Sequence, residues 1–248
     1  MRVLRLLLLL ALGAAVAGCN PASGTAASEP DRQQPRLGLF TSLPIYWGEP
    51  AEMTDLLDGS APQHRIRTLL EQDYTLVPLN SLGAPDGSPG GEMAAVDRLL
   101  VAQPRGLTAA DNVALDAWVR DGGRLLLVLD PLITDHSAYH IGDKRRFNDV
   151  ALLPPLLERW GLSMNYSEGV PAQEMQFKGV AIPAEEFGEL SLTEGEADCT
   201  ILANGLIAEC VRGSGQALIV ADAAFLSQEH GTPASDAAAS AIFQAAFD

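Results

Sequence analysis

Residues 98–131 read RLLVAQPRGLTAADNVALDAWVRDGGRLLLVLDP, and their reading decides the fold. The apolar run Leu99–Ala102 ends at Pro104, which has no amide to donate to a ladder, so a strand stops there. Thr108 is placed as a helix N-cap. Asp111, three residues on, can reach back to the cap amide in the manner of a capping box. Val113, Leu115, Ala117, Trp118 and Val119 supply the apolar face, and Gly122 and Gly123 close the helix. Leu125 to Leu129 are consecutively apolar and end at Asp130-Pro131, which predicts a strand buried on both faces. Strand, capped helix and strand predict a βαβ unit with a parallel pair and a right-handed crossover.

Outward from this unit the same grammar recurs. Residues 36–43 open with a short apolar strand. Residues 64–72 have helical spacing through Ile66, Leu69 and Leu70, and residues 74–79 read as a strand. Residues 83–91 are turn-rich. Gly215 to Asp222 repeats the form glycine, apolar strand, aspartate. Residues 234–247 read as a closing helix, and a further helix surrounds Leu152 to Trp160. Residues 163–212 contain shorter strands. The expected class is α/β: a three-layer domain over residues 37–248 with a parallel sheet and a small β-rich insertion.

Cys199 and Cys210 flank Asn204-Gly205, the preferred pair for a two-residue type I′ turn. That turn sets Leu202 against Ile207 and Cys199 against Cys210. Alternation from the turn puts the cysteines at a hydrogen-bonded pair, about 5.5 Å apart at Cα and within disulfide reach. A Cys199–Cys210 disulfide is expected in an oxidising compartment. Two free thiols are the alternative.

The N-terminus has a basic start with Arg2 and Arg5, an apolar core from Leu6 to Leu12, and small residues up to Gly18. This is the plan of a secretory signal, shorter than the roughly 20 residues of a membrane-spanning helix. Val16-Ala17-Gly18-Cys19 resembles the lipobox of bacterial lipoproteins. That resemblance implies cleavage after residue 18, a diacylglyceryl group on the Cys19 sulfur, and, with Asn20 rather than Asp following, the periplasmic face of the outer membrane. Residues 19–36 hold no large apolar side chain and read as a flexible tether. The formal net charge is −16, and loss of Arg2 and Arg5 with the leader makes the rest more negative still. Such a domain repels nucleic acid and anionic headgroups, so the lipid must hold it at the membrane.

Leu99 to Pro131, with Gly-Gln-Ala-Leu-Ile-Val-Ala-Asp-Ala-Ala-Phe-Leu-Ser from residue 215, is similar to the auxiliary proteins of gliding-motility-type ABC transporters, an uncharacterised family. The resemblance implies a flavodoxin-like fold of the class I glutamine amidotransferase type, and a permease or other envelope protein as partner. Amidotransferase chemistry needs a nucleophile on a strand-to-helix elbow. The sequence contains neither Gly-x-Cys-x-Gly nor Gly-x-Ser-x-Gly, so none is expected.

Asp130 and Asp222 each end a strand, where open parallel sheets bind ligands. With Thr41, Gln103, Tyr46 and Trp47 they are candidates for lining a cleft for a polar ligand such as a sugar. The competing reading gives the aspartates loop-pinning roles. His136 and His140, four apart beside Asp130 and Asp135, could share a helical face toward a metal, but Pro131, Ser137 and Gly142 argue against that helix. No metal or cofactor is expected. Lys144-Arg145-Arg146 is expected to pair with nearby carboxylates or to meet an acidic partner. The function expected is a non-catalytic, lipid-anchored accessory or binding domain of an ABC-transport-like or envelope system. The alternatives are an envelope-carbohydrate hydrolase using strand-end aspartates and a structural lipoprotein.

Overall fold

The central strands form where short apolar runs, largely leucine and valine, can be buried on both faces of a sheet, and the helices pack where the apolar period changes to 3.6. In the computed structural model, which describes residues 34–49, 63–229 and 231–248, the chain runs β1 (Arg36–Thr41), α1 (Arg65–Asp73), β2 (Thr75–Pro78), α2 (Gly91–Ala94), β3 (Arg98–Ala102), α3 (Ala109–Arg120) and β4 (Arg124–Val128). It continues through α4 (Pro154–Trp160), β5 (Leu162–Tyr166), β6 (Gln173–Phe177), β7 (Val180–Ala184), β8 (Gly188–Leu192), β9 (Asp198–Leu202), β10 (Ile207–Arg212), β11 (Gly215–Val220) and α5 (Pro233–Phe247). The leader, Cys19 and the tether up to residue 33 lie outside the described residues.

The main sheet has seven strands in the order β2-β1-β3-β4-β11-β10-β9. The pairs β2–β1, β1–β3, β3–β4 and β4–β11 are parallel. The β3–α3–β4 unit is therefore present as read, with Ala102 opposite Val128. Thr108 and Asp111 complete a reciprocal capping box, and Asp111 also accepts from the Leu82 and Gly83 amides, which fastens α3 to the loop before α2. Leu126 and Val128 join a core with α1 and α5, while Leu125, Leu127 and Leu129 join a core with α3 and α4. Alternation thus buries β4 on both faces between two helical layers.

Two expectations are corrected. The sheet is mixed rather than parallel throughout, because β10 and β9 extend it antiparallel beyond β11. The cysteine hairpin consequently belongs to the main sheet, and the β-rich insertion consists of two small antiparallel pairs, β5–β8 and β6–β7. A tight hairpin can join a sheet only antiparallel to its own partner, and β11 offered the free edge.

The second correction concerns the hairpin's phase. Leu206 donates to the Ala203 carbonyl at 3.1 Å, and Asn204 and Gly205 have the positive φ values of the expected turn, 52° and 95°. Ala203 is also left-handed at φ 48°, so the ladder begins one pair later, at Leu202 and Ile207. Cys199 does face Cys210 and the two form a disulfide. Their Cα atoms are 4.1 Å apart, near the about 4.5 Å of a non-hydrogen-bonded pair rather than about 5.5 Å. The left-handed Ala203 breaks the alternation counted from the turn.

Among the described residues no helix is long and apolar enough to cross a membrane.

Candidate functional site

The carboxyl ends of β1, β3, β4 and β11 lie side by side, and the polar residues just beyond them hold the connecting loops. Asp130 and Asp222 each stand two residues past a paired valine, Val128 and Val220. Asp130 Oδ1 accepts from the Leu132 amide at 2.8 Å, and Oδ2 accepts from the Ala223 amide at 3.0 Å. Asp222 Oδ1 accepts from the Ala224 amide at 2.5 Å, and Oδ2 from the Glu185 amide at 2.6 Å. Each carboxylate closes its own loop and reaches across to another.

Gln103 is fully buried and left-handed at φ 45°. Its Oε1 accepts from the Asp130 amide at 2.9 Å, and its Nε2 donates to the Asp130 and Asn148 carbonyls at 3.1 and 3.0 Å. Ser42 Oγ donates to the Gln103 carbonyl and accepts from the Asn148 amide. Thr41 Oγ1 accepts from the Leu43 amide, a local turn. This network ties the ends of β1, β3 and β4 to the loop that carries Asn148.

A cavity of about 180 Å³ opens beside these ends, between residues 43–49, 130–136 and 223–229. Its wall includes Asp130, His64, Glu49, Asp135, Phe147 and Leu226. Burial, countered by the amides of Ala223 and Leu132 and assisted by the charges of Asp135 and Glu186, pushes Asp130 up to about 7. Burial and the neighbouring Asp130 carboxylate raise Asp222 well above the ordinary carboxylate range. Burial, with Arg65 second, lowers His64 to about 4. Arg65, which does not line the cavity, holds the 225–227 segment in place, donating to the Ser227 and Phe225 carbonyls at 2.5 Å each and pairing with Asp236 at 2.6 Å.

Of the six residues expected from the sequence to line a ligand cleft, Asp130 alone lines this cavity; Asp135 and His136, weighed for a metal, line it as well. Gln103 lies behind Asp130, Asp222 is buried against the Glu185 loop, and Thr41 caps its own turn. Tyr46 stacks edge-on against Trp47 and beneath the Arg67 guanidinium, 4.3 Å from the ring centroid. Trp47 itself is 77% exposed. His136 lies at the cavity rim, 3.2 Å from Glu229. Among the described residues no group of three or more potential ligands is arranged for a metal. In the basic run, Arg145 pairs with Asp143 and Arg146 with Asp149.

Sequence reading missed His64, Asn148 and Ser42, and weighed Asp135 only beside a possible metal. His64 had one local signal, its place just before an amphipathic helix, where its Nδ1 accepts from the Ile66 amide as an N-cap. Asn148 and Ser42 owe their positions to contacts with distant segments.

A model of the family described as an ABC-type uncharacterized transport system matches residues 34–184. Among solved structures, an exo-β-1,4-mannosidase, Op5Man5 from Opitutaceae bacterium strain TAV5, superposes with a TM-score of 0.51 and 15% identity, over 86% of this chain and 36% of that one. A cold-adapted β-galactosidase from Rahnella sp. R3 gives 0.48 and 14%, over 86% and 32%. The mmIFT52 N-terminal domain gives 0.48 and 13%, over 85% and 96%. This chain therefore spans about a third of either glycosidase, and the mannosidase likeness is one of fold. No curated protein matches.

Proposed function

This chain belongs to the family of ABC-type uncharacterized transport system proteins, and from that premise we propose that it is a non-catalytic, lipid-anchored accessory domain of such a transporter. In this reading residues 1–18 are the leader, Cys19 carries the lipid, residues 19–36 are the tether, and residues 37–248 are the working domain on the periplasmic face of the outer membrane. The partner is a permease or another envelope protein. Within the family we assign it to the gliding-motility-type auxiliaries, with a flavodoxin-like fold of the class I glutamine amidotransferase type. The anchor reconciles a net charge of −16 with a life beside an anionic bilayer.

One observation supports an accessory over a catalytic role. Both oxygens of Asp130 and both of Asp222 accept loop amides, and Gln103 uses both ends of its amide on backbone. Groups committed in this way stabilise the strand ends and have little freedom to serve a reacting substrate. The test is crosslinking in native membranes, followed by pull-down of the full chain through a C-terminal tag and mass spectrometry. Recovery of permease and ATPase subunits, lost on Cys19→Ser with the membrane localisation, is the expected result. Full-length protein that is unacylated and recovers no transporter subunit would overturn the reading.

A second reading, a carbohydrate hydrolase, draws on the raised Asp130 beside Asp222, since a protonated carboxylic acid near neutral pH is what a general acid requires. It predicts turnover of nitrophenyl β-mannoside or β-galactoside that Asp130→Asn abolishes without unfolding the chain. The accessory reading predicts no turnover in either protein.

A further inference from the structure

His64 is 94% buried, being 6% exposed, and its ring forms part of the cavity wall. Its Nδ1 accepts the Ile66 amide at 3.2 Å, so in the neutral ring the proton sits on Nε2. Among the described residues no group meets that Nε2–H. Among the described residues the only fully buried polar side-chain atom without a partner is Asn112 Oδ1, so the His64 N–H is not sealed off, and the space its residue lines is the cavity.

The rest of the wall narrows what could pair with it. Glu49, Asp130, Asp135 and Glu229 line the cavity, and no lysine or arginine joins them among the described residues. A phosphate or carboxylate would meet repulsion on entry. An ammonium would satisfy the carboxylates but offers no acceptor, leaving the His64 N–H unpaired. A hydroxyl does both, accepting from His64 and donating to a carboxylate, whose oxygens keep a second lone pair after taking one amide. Leu43, Phe147 and Leu226 supply apolar surface for C–H faces. A volume of about 180 Å³ suits one ring rather than a drug-sized ligand, whose pockets run from roughly 300 Å³.

We infer that this cavity binds a neutral polyhydroxylated ligand, a single pyranose unit, with His64 Nε2–H donating to one hydroxyl and the surrounding carboxylates accepting from its neighbours. The site differs from the cleft expected from sequence, sharing with it only Asp130. It also stands apart from the transporter reading, because binding is measured on the purified chain and partner association in membranes.

The test uses the full chain in detergent with ¹⁵N-labelled histidine. D-mannose, D-galactose and D-glucose are titrated separately, with inorganic phosphate and putrescine as competing chemistries. At least one sugar should shift the His64 Nε2–H resonance saturably, and the other two probes should not. His64→Asn retains a side-chain oxygen to cap α1 but loses the ring donor, so sugar affinity by ligand-observed saturation transfer should fall about five- to tenfold. The inference is overturned if no sugar gives a saturable shift, if phosphate or putrescine does so instead, or if a folded His64→Asn variant binds sugar as tightly as the parent. Should His64→Asn fail to fold, the resonance in the parent decides: a saturable sugar shift upholds the site and an unmoved signal removes it.

Discussion

Replacing Asp116 by alanine should be among the most damaging single changes away from the strand ends. Asp116 sits on α3 with its side chain 6% exposed and receives four donors: Arg212 Nε at 3.0 Å, Arg212 Nη2 at 3.3 Å, Trp160 Nε1 at 2.8 Å and Arg159 Nε at 3.1 Å. It thereby joins α3, α4 and β10. Breaking a buried pair by removing one partner costs about 3–5 kcal/mol. Arg212 would keep Glu196 at 2.6 Å, which places the ionic part near the lower end of that range. The fully buried Trp160 N–H would be orphaned, adding about 1 kcal/mol or more. The total is about 4 kcal/mol, a large share of the roughly 5–15 kcal/mol of a whole domain. At roughly 2–4 °C per kcal/mol the midpoint should fall by roughly 8–16 °C. Calorimetry and urea unfolding of the full chain measure it. The double variant Asp116→Ala/Arg212→Met should regain about 2 kcal/mol, because most of the loss comes from the stranded guanidinium. A single-variant loss under about 1 kcal/mol, or a double variant no more stable than the single, would refute this account. Burial alone would raise Asp116, but the Arg212 and Trp160 hydrogen bonds and the Arg212 and Arg159 charges hold it below the ordinary carboxylate range. Its contribution is therefore present above the unfolded value of about 3.9 and lost as pH falls through the folded one.

Three other substitutions have definite expected outcomes. Cys199→Ala/Cys210→Ala opens a bridge of sequence separation 11 and should cost about 3 kcal/mol on the chain-entropy estimate; an unchanged urea midpoint would contradict it. Gln103→Ala removes two buried hydrogen bonds and one part-buried one and strands the Asp130 amide, so a loss of about 3 kcal/mol is expected, read by thermal unfolding. Asp130 has a folded pKa raised to about 7, so its ionisation opposes folding as pH rises from about 4 to about 7. The stability of wild type relative to Asp130→Asn should therefore decline across that range, and a difference independent of pH would show that Asp130 does not titrate as described.

The β3–α3–β4 unit was legible because its information is local. Thr108 and Asp111 are three residues apart, the apolar period changes at Pro104 and again at Gly122, and Leu125 to Leu129 permit no exposed face. The Cys199–Cys210 register was legible for the same reason, since the turn at Asn204-Gly205 lies within the hairpin. What lies beside the hairpin was not legible. Nothing in residues 198–212 states that β10 will lie against β11, or that β11 will lie against β4 across some 90 residues. The aromatic pair shows the opposite failure. Tyr46 and Trp47 have the composition of a ligand wall, yet the Arg67 guanidinium on α1 covers Tyr46 and Trp47 faces outward. His64 could be placed at a helix start from its neighbours, but its burial depends on loops that close around it from elsewhere in the chain.

The two strand-end aspartates suggest why a cavity forms at this edge at all. Asp130 binds an amide of the loop after β11, and Asp222 binds the Glu185 amide after β7. Each therefore fixes a segment that its own strand does not carry. Gln103 adds a third tie, between β3, the Asp130 backbone and the Asn148 loop. Loops pinned in this way cannot collapse into the space beyond the strand ends, because doing so would orphan buried carboxylate oxygens and amides together. Arg65 holds the 225–227 segment from the other side, and the adjacent His64 is left facing the gap that these ties keep open. Both aspartates thus act as pins, and Asp130 is part of the cavity wall as well, shaping it chiefly by what it holds back from it. Loosening Gln103 should therefore weaken ligand capture at His64 even though Gln103 does not line the cavity, and a Gln103→Ala variant that remains folded yet binds sugar like the parent would break that link.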